Sequence, residues 1–217
     1  MAIQVKTAVE YPIFHEILSS GLYFLRSSVG LLLKPYESMR KIILRGNIYE
    51  CFPIALLILS YFALASLVRA PAFRPYLLTK HYVLLVSASS LGFIVITGTI
   101  LVMARILRIT IQHKSLLVGW SYTLLPTVFW FLITSILYVI LPPPRTTAFT
   151  GMLFSGLYLL FSSALLFWKL MLIYLVLRFT FREKLAILVA VGIAIISVAA
   201  MYSLFMYRLG IFRIPFI

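Results

Sequence analysis

The stretch LAILVAVGIAIISVAAMYSLFMY, residues 185–207, runs for 23 residues without a charged side chain. At 1.5 Å per residue, a helix of this length is roughly 34 Å long, which exceeds the hydrocarbon thickness of about 30 Å in a typical bilayer. Four further apolar runs precede it, the last of them interrupted only by Lys169. The predicted transmembrane spans are residues 51–68, 82–104, 116–141, 149–177 and 185–207.

The composition of the whole chain agrees with these spans. Its 217 residues are 63% hydrophobic and 11% charged, with a mean hydropathy of +1.10. A soluble domain is about half apolar and about a quarter charged, so soluble, disordered, collagen-like and nucleic-acid-binding chains are excluded. Backbone groups in lipid must be paired within helices or a closed barrel, and these runs exceed barrel strands of about 10 residues. The sequence therefore predicts an all-α, polytopic membrane protein with a five-helix transmembrane bundle.

The first fifty residues are expected to form helices at the membrane surface. Apolar residues recur at helical spacing over 13–33, which predicts an interfacial amphipathic helix. A sixth span is the alternative, and Gly21 and Arg26 count against it. Pro35 then opens a short helix that has a basic and an apolar face. This helix either lies in the headgroups or is solvated and packs on the bundle. Residues 1–50 are thus an N-terminal segment, 51–207 the bundle and 208–217 a short external tail.

The basic residues predict the orientation of the bundle. Nineteen Lys and Arg face five Glu, for a net charge of +14, which in a membrane protein reflects topology and anionic headgroups. Twelve of the cations lie on the side of the N-terminus and six on the other side, with Lys169 left out. This predicts a cell-membrane protein with a cytoplasmic N-terminus and an external C-terminus.

Nine of the cytoplasmic-side cations form a candidate surface for anionic lipids or an acidic partner, although they could serve topology alone. They are Arg40, Lys41, Arg45, Arg105, Arg108, Lys114, Arg178, Arg182 and Lys184.

The third span contains the most informative proline. Pro126 lacks a backbone donor, so we expect a helix bend there, flanked by Ser121 and Tyr122. The bend either opens a pocket or only lets the helices pack. Lys169 is the cation deepest within a span, which makes it a candidate for the same pocket, and snorkelling to the interface is the alternative. No carboxylate falls within the predicted spans, which counts against a cation-coupled transporter.

Small residues spaced four apart are candidates for close helix packing, and packing within the chain is the expectation. They are Ala88 and Gly92 in the second span, Gly151 and Ser155 in the fourth, and Ala186, Ala190 and Ala194 in the fifth.

The sequence contains none of the motifs of common enzymes. H-E-x-x-H, G-x-S-x-G and the phosphate-binding G-x-x-x-x-G-K-[ST] are all missing. Cys51 is the single cysteine, so it cannot form an intrachain disulfide. We therefore predict no catalytic or metal-ligating residues, no cofactor and no enzymatic activity.

Three stretches carry a resemblance to a known family. LLLKPYESMRKI (31–42), SYTLLP (121–126) and LRFTFREKLAILVAVGI (177–193) resemble, in this order on five spans, the Yip1-domain family of integral membrane proteins. Ser121 stands where the family often has Gly, and the Asp-Leu-Tyr-Gly-Pro stretch and long polar arm of eukaryotic members are missing. The resemblance thus implies a prokaryotic member with a role in membrane organisation or trafficking, and the Rab binding of Golgi members is not carried over to this chain.

Together these features predict a scaffold or an accessory subunit of a transport, export or membrane-organisation system. It would bind anionic lipids and other integral membrane proteins, such as an ABC-type or export complex, and no nucleic acid. The alternative is a small transporter or channel for a hydrophobic or anionic substrate that uses the Pro126 bend and Lys169. A third possibility is an intramembrane enzyme with an unrecognised site. A polar cavity that reaches Lys169 would favour transport, whereas a packed centre with exposed small residues would favour partner binding.

Overall fold

The computed structural model describes residues 12–69, 75–140 and 149–211, and all regular structure in these ranges is helical. This confirms the predicted all-α class. The helices are α1 (Pro12–Leu33), α2 (Pro35–Arg45), a 3-10 turn (Ile48–Glu50), α3 (Cys51–Arg69), α4 (Pro75–Ile106), α5 (His113–Tyr122), α6 (Leu125–Ile140), α7 (Phe149–Phe181) and α8 (Leu185–Arg208).

Five helical segments of the described chain are long and apolar enough to cross a membrane, as the sequence predicts. They are Ile48–Leu67, Tyr76–Ile106, His113–Leu137, Gly151–Phe181 and Leu185–Arg208. The helices outrun the apolar stretches: α4 begins at Pro75, and α7 continues to Phe181. A charged side chain ends an apolar run in the sequence but does not end a helix, because Lys and Arg are good helix formers.

The two N-terminal helices cover one end of the bundle, which we call the covered end. Helix α2 packs against α1, α5 and α7, and its apolar residues Met39, Ile42 and Ile43 are buried there. Helix α1 packs on α2, on the 3-10 turn and on the start of α3. Its outer face exposes Leu22 and Leu25 beside Arg26, which is the pattern expected of an interfacial amphipathic helix.

The best-packed part of the core lies at the covered end. Leu31 of α1, Ile42 of α2, Ile54 of α3, Leu116 of α5 and Val176 of α7 belong to one buried cluster and are at most 1% exposed. Elsewhere the long helices expose many Leu and Ile side chains. Lipid tails are as apolar as these side chains, so exposure within a bilayer carries no hydrophobic penalty.

Helices α4 and α8 pack closely around one tyrosine. The Tyr202 hydroxyl of α8 donates a hydrogen bond to the Ala88 carbonyl of α4. A Cβ atom at Gly92 would lie 2.9 Å from Cε1 of Tyr202, so the missing side chain makes room for the ring. The fold thus places a glycine where two spans approach each other.

Candidate functional site at the covered end

The third span is interrupted where it meets the covered end. Helix α5 ends at Tyr122 and α6 begins at Leu125, so Pro126 is the second residue of α6, where its missing N–H costs little. The Thr123 hydroxyl donates to the Trp120 carbonyl (2.7 Å), and the Leu124 N–H donates to the Ser121 carbonyl (3.1 Å). These bonds hold Tyr122 at the end of α5.

A carboxylate and an arginine meet Tyr122 in the interior. Glu50 is 0% exposed; its Oε1 accepts a hydrogen bond from Nη1 of Arg45 (2.8 Å), and its Oε2 accepts one from the Tyr122 hydroxyl (2.7 Å). Burying a carboxylate is costly unless it is paired and hydrogen-bonded, and both oxygens meet that condition. We call Arg45, Glu50 and Tyr122 the polar cluster. It joins the end of α2, the start of α3 and the end of α5.

Helix α1 closes over the polar cluster. The Phe24 ring lies 6.0 Å from the Tyr122 ring, centroid to centroid. The Arg45 guanidinium carbon lies 4.6 Å from the centroid of the Tyr23 ring, within the range of a cation–π interaction. The first helix is therefore part of the environment of the buried carboxylate and its arginine partner.

The turn between α2 and α3 directs Glu50 back toward Arg45. Gly46 adopts a left-handed conformation (φ +55°), and its N–H donates to the Ile42 carbonyl, which ends α2. The Asn47 side chain then accepts a hydrogen bond from the Tyr49 N–H (3.1 Å) and starts the 3-10 turn. A glycine and an asparagine are the residues this turn requires.

Glu50 is the functional candidate that sequence reasoning missed. The predicted spans contain no carboxylate, because the first of them begins at residue 51. The structure corrects this, because Glu50 is buried and lies in the first candidate span, Ile48–Leu67. Tyr122 is predicted to line a pocket beside Ser121, but its hydroxyl binds Glu50 instead. The Ser121 hydroxyl donates to the Leu117 carbonyl (2.9 Å) and lies 3.5 Å from Sγ of Cys51.

The packing of α6 against α7 places Lys169 at the depth of the interruption. Trp130 donates to the Ser162 hydroxyl (2.8 Å), and the Phe129 and Trp168 rings are 6.1 Å apart. Extending this antiparallel register brings Pro126 level with Lys169.

Buried donors lie in the same region. The Thr127 hydroxyl and the Trp168 indole N–H are buried without a hydrogen-bond partner in the described parts of the chain. Lys169 is half-buried, and Leu125 and Val128 are buried beside the interruption. The depressions lined by residues 174–188 and by residues 76–84 include neither Pro126 nor Lys169.

The nine cations of the candidate basic surface are all exposed and gather at the covered end. Tyr36 of α2 packs edge-to-face on Phe179 near the end of α7, with centroids 5.0 Å apart. Gly46 lies beside Ser115 at the start of α5. These contacts bring the connections between α4 and α5 and between α7 and α8 to the covered end. Arg45 differs from the other eight because it pairs with Glu50 while remaining 37% exposed.

The small-residue pairs divide between two environments. Ala88 and Gly92 contact Tyr202 of another helix. The remaining positions do not follow the expectation of packing within the chain, since Ser155, Ala186 and Ala190 are exposed and Gly151 and Ala194 are half-buried. The spacing identifies a narrow helix face without revealing whether the chain itself covers that face.

Comparison of the chain with protein-family models, with curated proteins and with solved structures found no match. Its function is therefore argued from its own residues and their arrangement.

Proposed function

We propose that this chain is a non-enzymatic integral membrane protein that binds other membrane proteins or lipids. It acts as a scaffold or an accessory subunit of a transport, export or membrane-organisation system. The observation that carries the proposal is the packed interior at the interruption of the third span, combined with exposed small side chains on α8.

The packed interior argues against a conduction pathway. Tyr122 and Leu125 are at most 2% exposed, and Pro126 and Val128 are buried beside them. A pathway for an anionic or polar solute needs a wet, polar cavity at mid-depth, whereas these side chains are closely packed at the interruption. Tight packing at this position supports a protein that works through its outer surface.

The outer surface supports contacts with other helices and with lipid. Ala186 and Ala190 are exposed on α8, and small side chains let a neighbouring helix approach closely. The exposed cations at the covered end suit a cytoplasmic leaflet rich in anionic headgroups, which supports a cytoplasmic N-terminus. Membership of the Yip1-domain family, proposed from a resemblance over roughly residues 31–207, fits the same role in membrane organisation.

A small transporter for an anionic substrate is the second candidate. The unpartnered donors of Thr127 and Trp168, at the depth of Lys169, favour it. All three groups can donate hydrogen bonds to an anion that enters from the bilayer or from a partner.

One experiment separates the two candidates. The protein is purified from host membranes in mild detergent, and its protein partners are quantified by mass spectrometry for the wild type and two double variants. Ala186→Leu/Ala190→Leu fills the narrow face of α8, whereas the control Val189→Leu/Ile196→Leu alters exposed residues elsewhere on that helix. We expect a stoichiometric partner with the wild type and the control, reduced about tenfold in the alanine variant, a change of about 1.4 kcal/mol.

The contrary outcome is equally concrete. Purified protein that recovers no partner and moves an anion across liposomes, with flux abolished by Lys169→Gln, would replace the scaffold by the transporter.

A further inference from the structure

A groove opens where α7 ends and α8 begins. It has a volume of about 420 Å³ and is lined by Tyr174, Arg178 and Arg182 on one side and by Leu185 and Leu188 on the other. We infer that this groove binds the headgroup of a phospholipid with a single negative charge. The inference rests on the proposed function, because it names the lipid class and its place on the protein.

Arg178 and Tyr174 present hydrogen-bond donors that are already oriented. Nη1 of Arg178 donates to the Tyr174 hydroxyl oxygen (2.7 Å), which leaves the tyrosine O–H free to donate onward. The guanidinium keeps further N–H groups, and Arg178 is exposed. Guanidinium and hydroxyl donors side by side match the oxygens of a phosphodiester.

Arg182 places a second guanidinium at the same groove through an unusual backbone. Its φ is +56°, in the left-handed region where glycine is the unstrained residue, and its N–H donates to the Arg178 carbonyl to end α7. A glycine at this position would end the helix with less strain. Arg182 therefore supplies a positive charge at a position where the backbone conformation alone would favour glycine.

The other wall of the groove suits the rest of a lipid. Leu185 is exposed, so this wall offers apolar surface to an acyl chain. No side chain caps the first turn of α8, whose positive dipole end adds to the arginines. Glu183 also lines the groove, so two guanidiniums face one carboxylate. This balance favours a singly charged headgroup over a polyanion.

The test uses native mass spectrometry of the full chain, titrated with phosphatidylglycerol or with phosphatidylcholine of the same acyl chains. The variant Arg178→Gln/Arg182→Gln is compared with Arg26→Gln/Lys34→Gln in the N-terminal helical segment. The control removes the same charge from exposed side chains at the covered end, and neither residue lines the groove or belongs to the nine cations of the candidate basic surface. We expect phosphatidylglycerol occupancy to fall about tenfold in the groove variant and less than about twofold in the control.

A single substitution separates binding from folding. Arg182→Gly relieves the backbone strain, so we expect it to keep or raise thermal stability while it weakens phosphatidylglycerol binding. Inorganic phosphate in excess should leave the bound lipid in place, because phosphate has no acyl chain to contact Leu185. Displacement by phosphate would overturn the lipid assignment.

Two results would overturn the groove itself. One is an equal loss of phosphatidylglycerol in the groove variant and the control, which would reduce the effect to general charge attraction. The other is equal binding of phosphatidylcholine by the wild type. Either result leaves the proposed function intact if the protein partner is still recovered. Loss of the partner with intact lipid binding would instead contradict the scaffold role and leave the groove assignment intact.

Discussion

At the scale of single residues, the polar cluster decides how the charges near the first span are used. Arg45 resembles the other surface cations in its charge and its position, yet it forms an ion pair with buried Glu50. Removing one partner of a buried charge pair leaves the other uncompensated, which is strongly destabilising. Tests of lipid binding by α2 should therefore change Arg40 and Lys41 and leave Arg45 intact.

The hydrogen bond between Tyr122 and Glu50 should be measurable as a coupling energy. We expect Tyr122→Phe to lower the free energy of unfolding by about 1–3 kcal/mol, because it leaves a buried carboxylate oxygen without a donor. In a Glu50→Ala background, Tyr122→Phe should lower the free energy of unfolding by a smaller amount. The difference between the two effects, which is the coupling energy, should be about 1–2 kcal/mol. The measurement is denaturant titration in mixed micelles followed by tryptophan fluorescence.

Glu37→Gln, at an exposed position on α2, is the matched control for Glu50→Ala and should change the free energy of unfolding little. Strictly additive effects of Tyr122→Phe and Glu50→Ala would show that the hydrogen bond contributes nothing of its own.

At the scale of the elements, the spans differ in whether their helices are continuous. The third span is divided at Thr123 and Leu124, so that α5 belongs to the covered end and α6 continues the crossing. Helices α4 and α8, by contrast, run unbroken and approach each other at Gly92. Close approach at one glycine makes the pair of helices sensitive to a single methyl group.

Gly92 and Gly98 offer a matched pair on α4. A methyl group at Gly92 would meet the Tyr202 ring at 2.9 Å, whereas nothing lies within 4 Å of a methyl group at Gly98. We expect Gly92→Ala to cost about 1–3 kcal/mol of stability through overpacking and displacement of Tyr202. Gly98→Ala should be neutral or gain up to about 1 kcal/mol from helix propensity. Thermal unfolding in detergent checks both, and equal effects would rule out a packing role for Gly92.

At the scale of the whole molecule, the covered end concentrates positive charge on one side of the bundle. The long helices meet there through short described connections, such as residues 182–184 between α7 and α8. The positive-inside rule then predicts that this end faces the cytoplasm. The orientation proposed for the chain depends on this single assignment.

Cysteine labelling from outside the cell tests the orientation in a Cys51→Ser background. Cysteines at Thr147 and Phe216, which lie outside the described residues, should be modified by a membrane-impermeant reagent. Cysteines at exposed Lys34 and Gln112 should not react until the membrane is permeabilised. Gly46 is a poor labelling site, because its left-handed backbone and the nearby Ser115 hydroxyl (3.1 Å from a Cβ) disfavour a side chain. The reverse labelling pattern would place the N-terminus outside.

The candidate site could be predicted only in fragments. Tyr122 and Pro126 stand out in the sequence because a proline in an apolar helix interrupts it locally. The role of Tyr122 cannot be recognised from the sequence, because its hydrogen-bond partner Glu50 is 72 positions away along the chain. The exposure of the nine cations follows from their charge, but the pairing of Arg45 with Glu50 requires the turn at Gly46 and Asn47.

The sequence by itself determined the all-α class, the number of candidate spans and the break near Pro126, because the hydropathy of one apolar run and the geometry of one proline are both local along the chain. Only the tertiary structure decided that Glu50 is buried, that Tyr202 reaches Ala88 114 positions away, and that Ala186 and Ala190 face outward. In a membrane both the packed and the lipid-facing sides of a helix are apolar, so composition does not distinguish them. Which face meets another helix depends on side-chain shape across distant segments, and that information exists only once the helices are assembled.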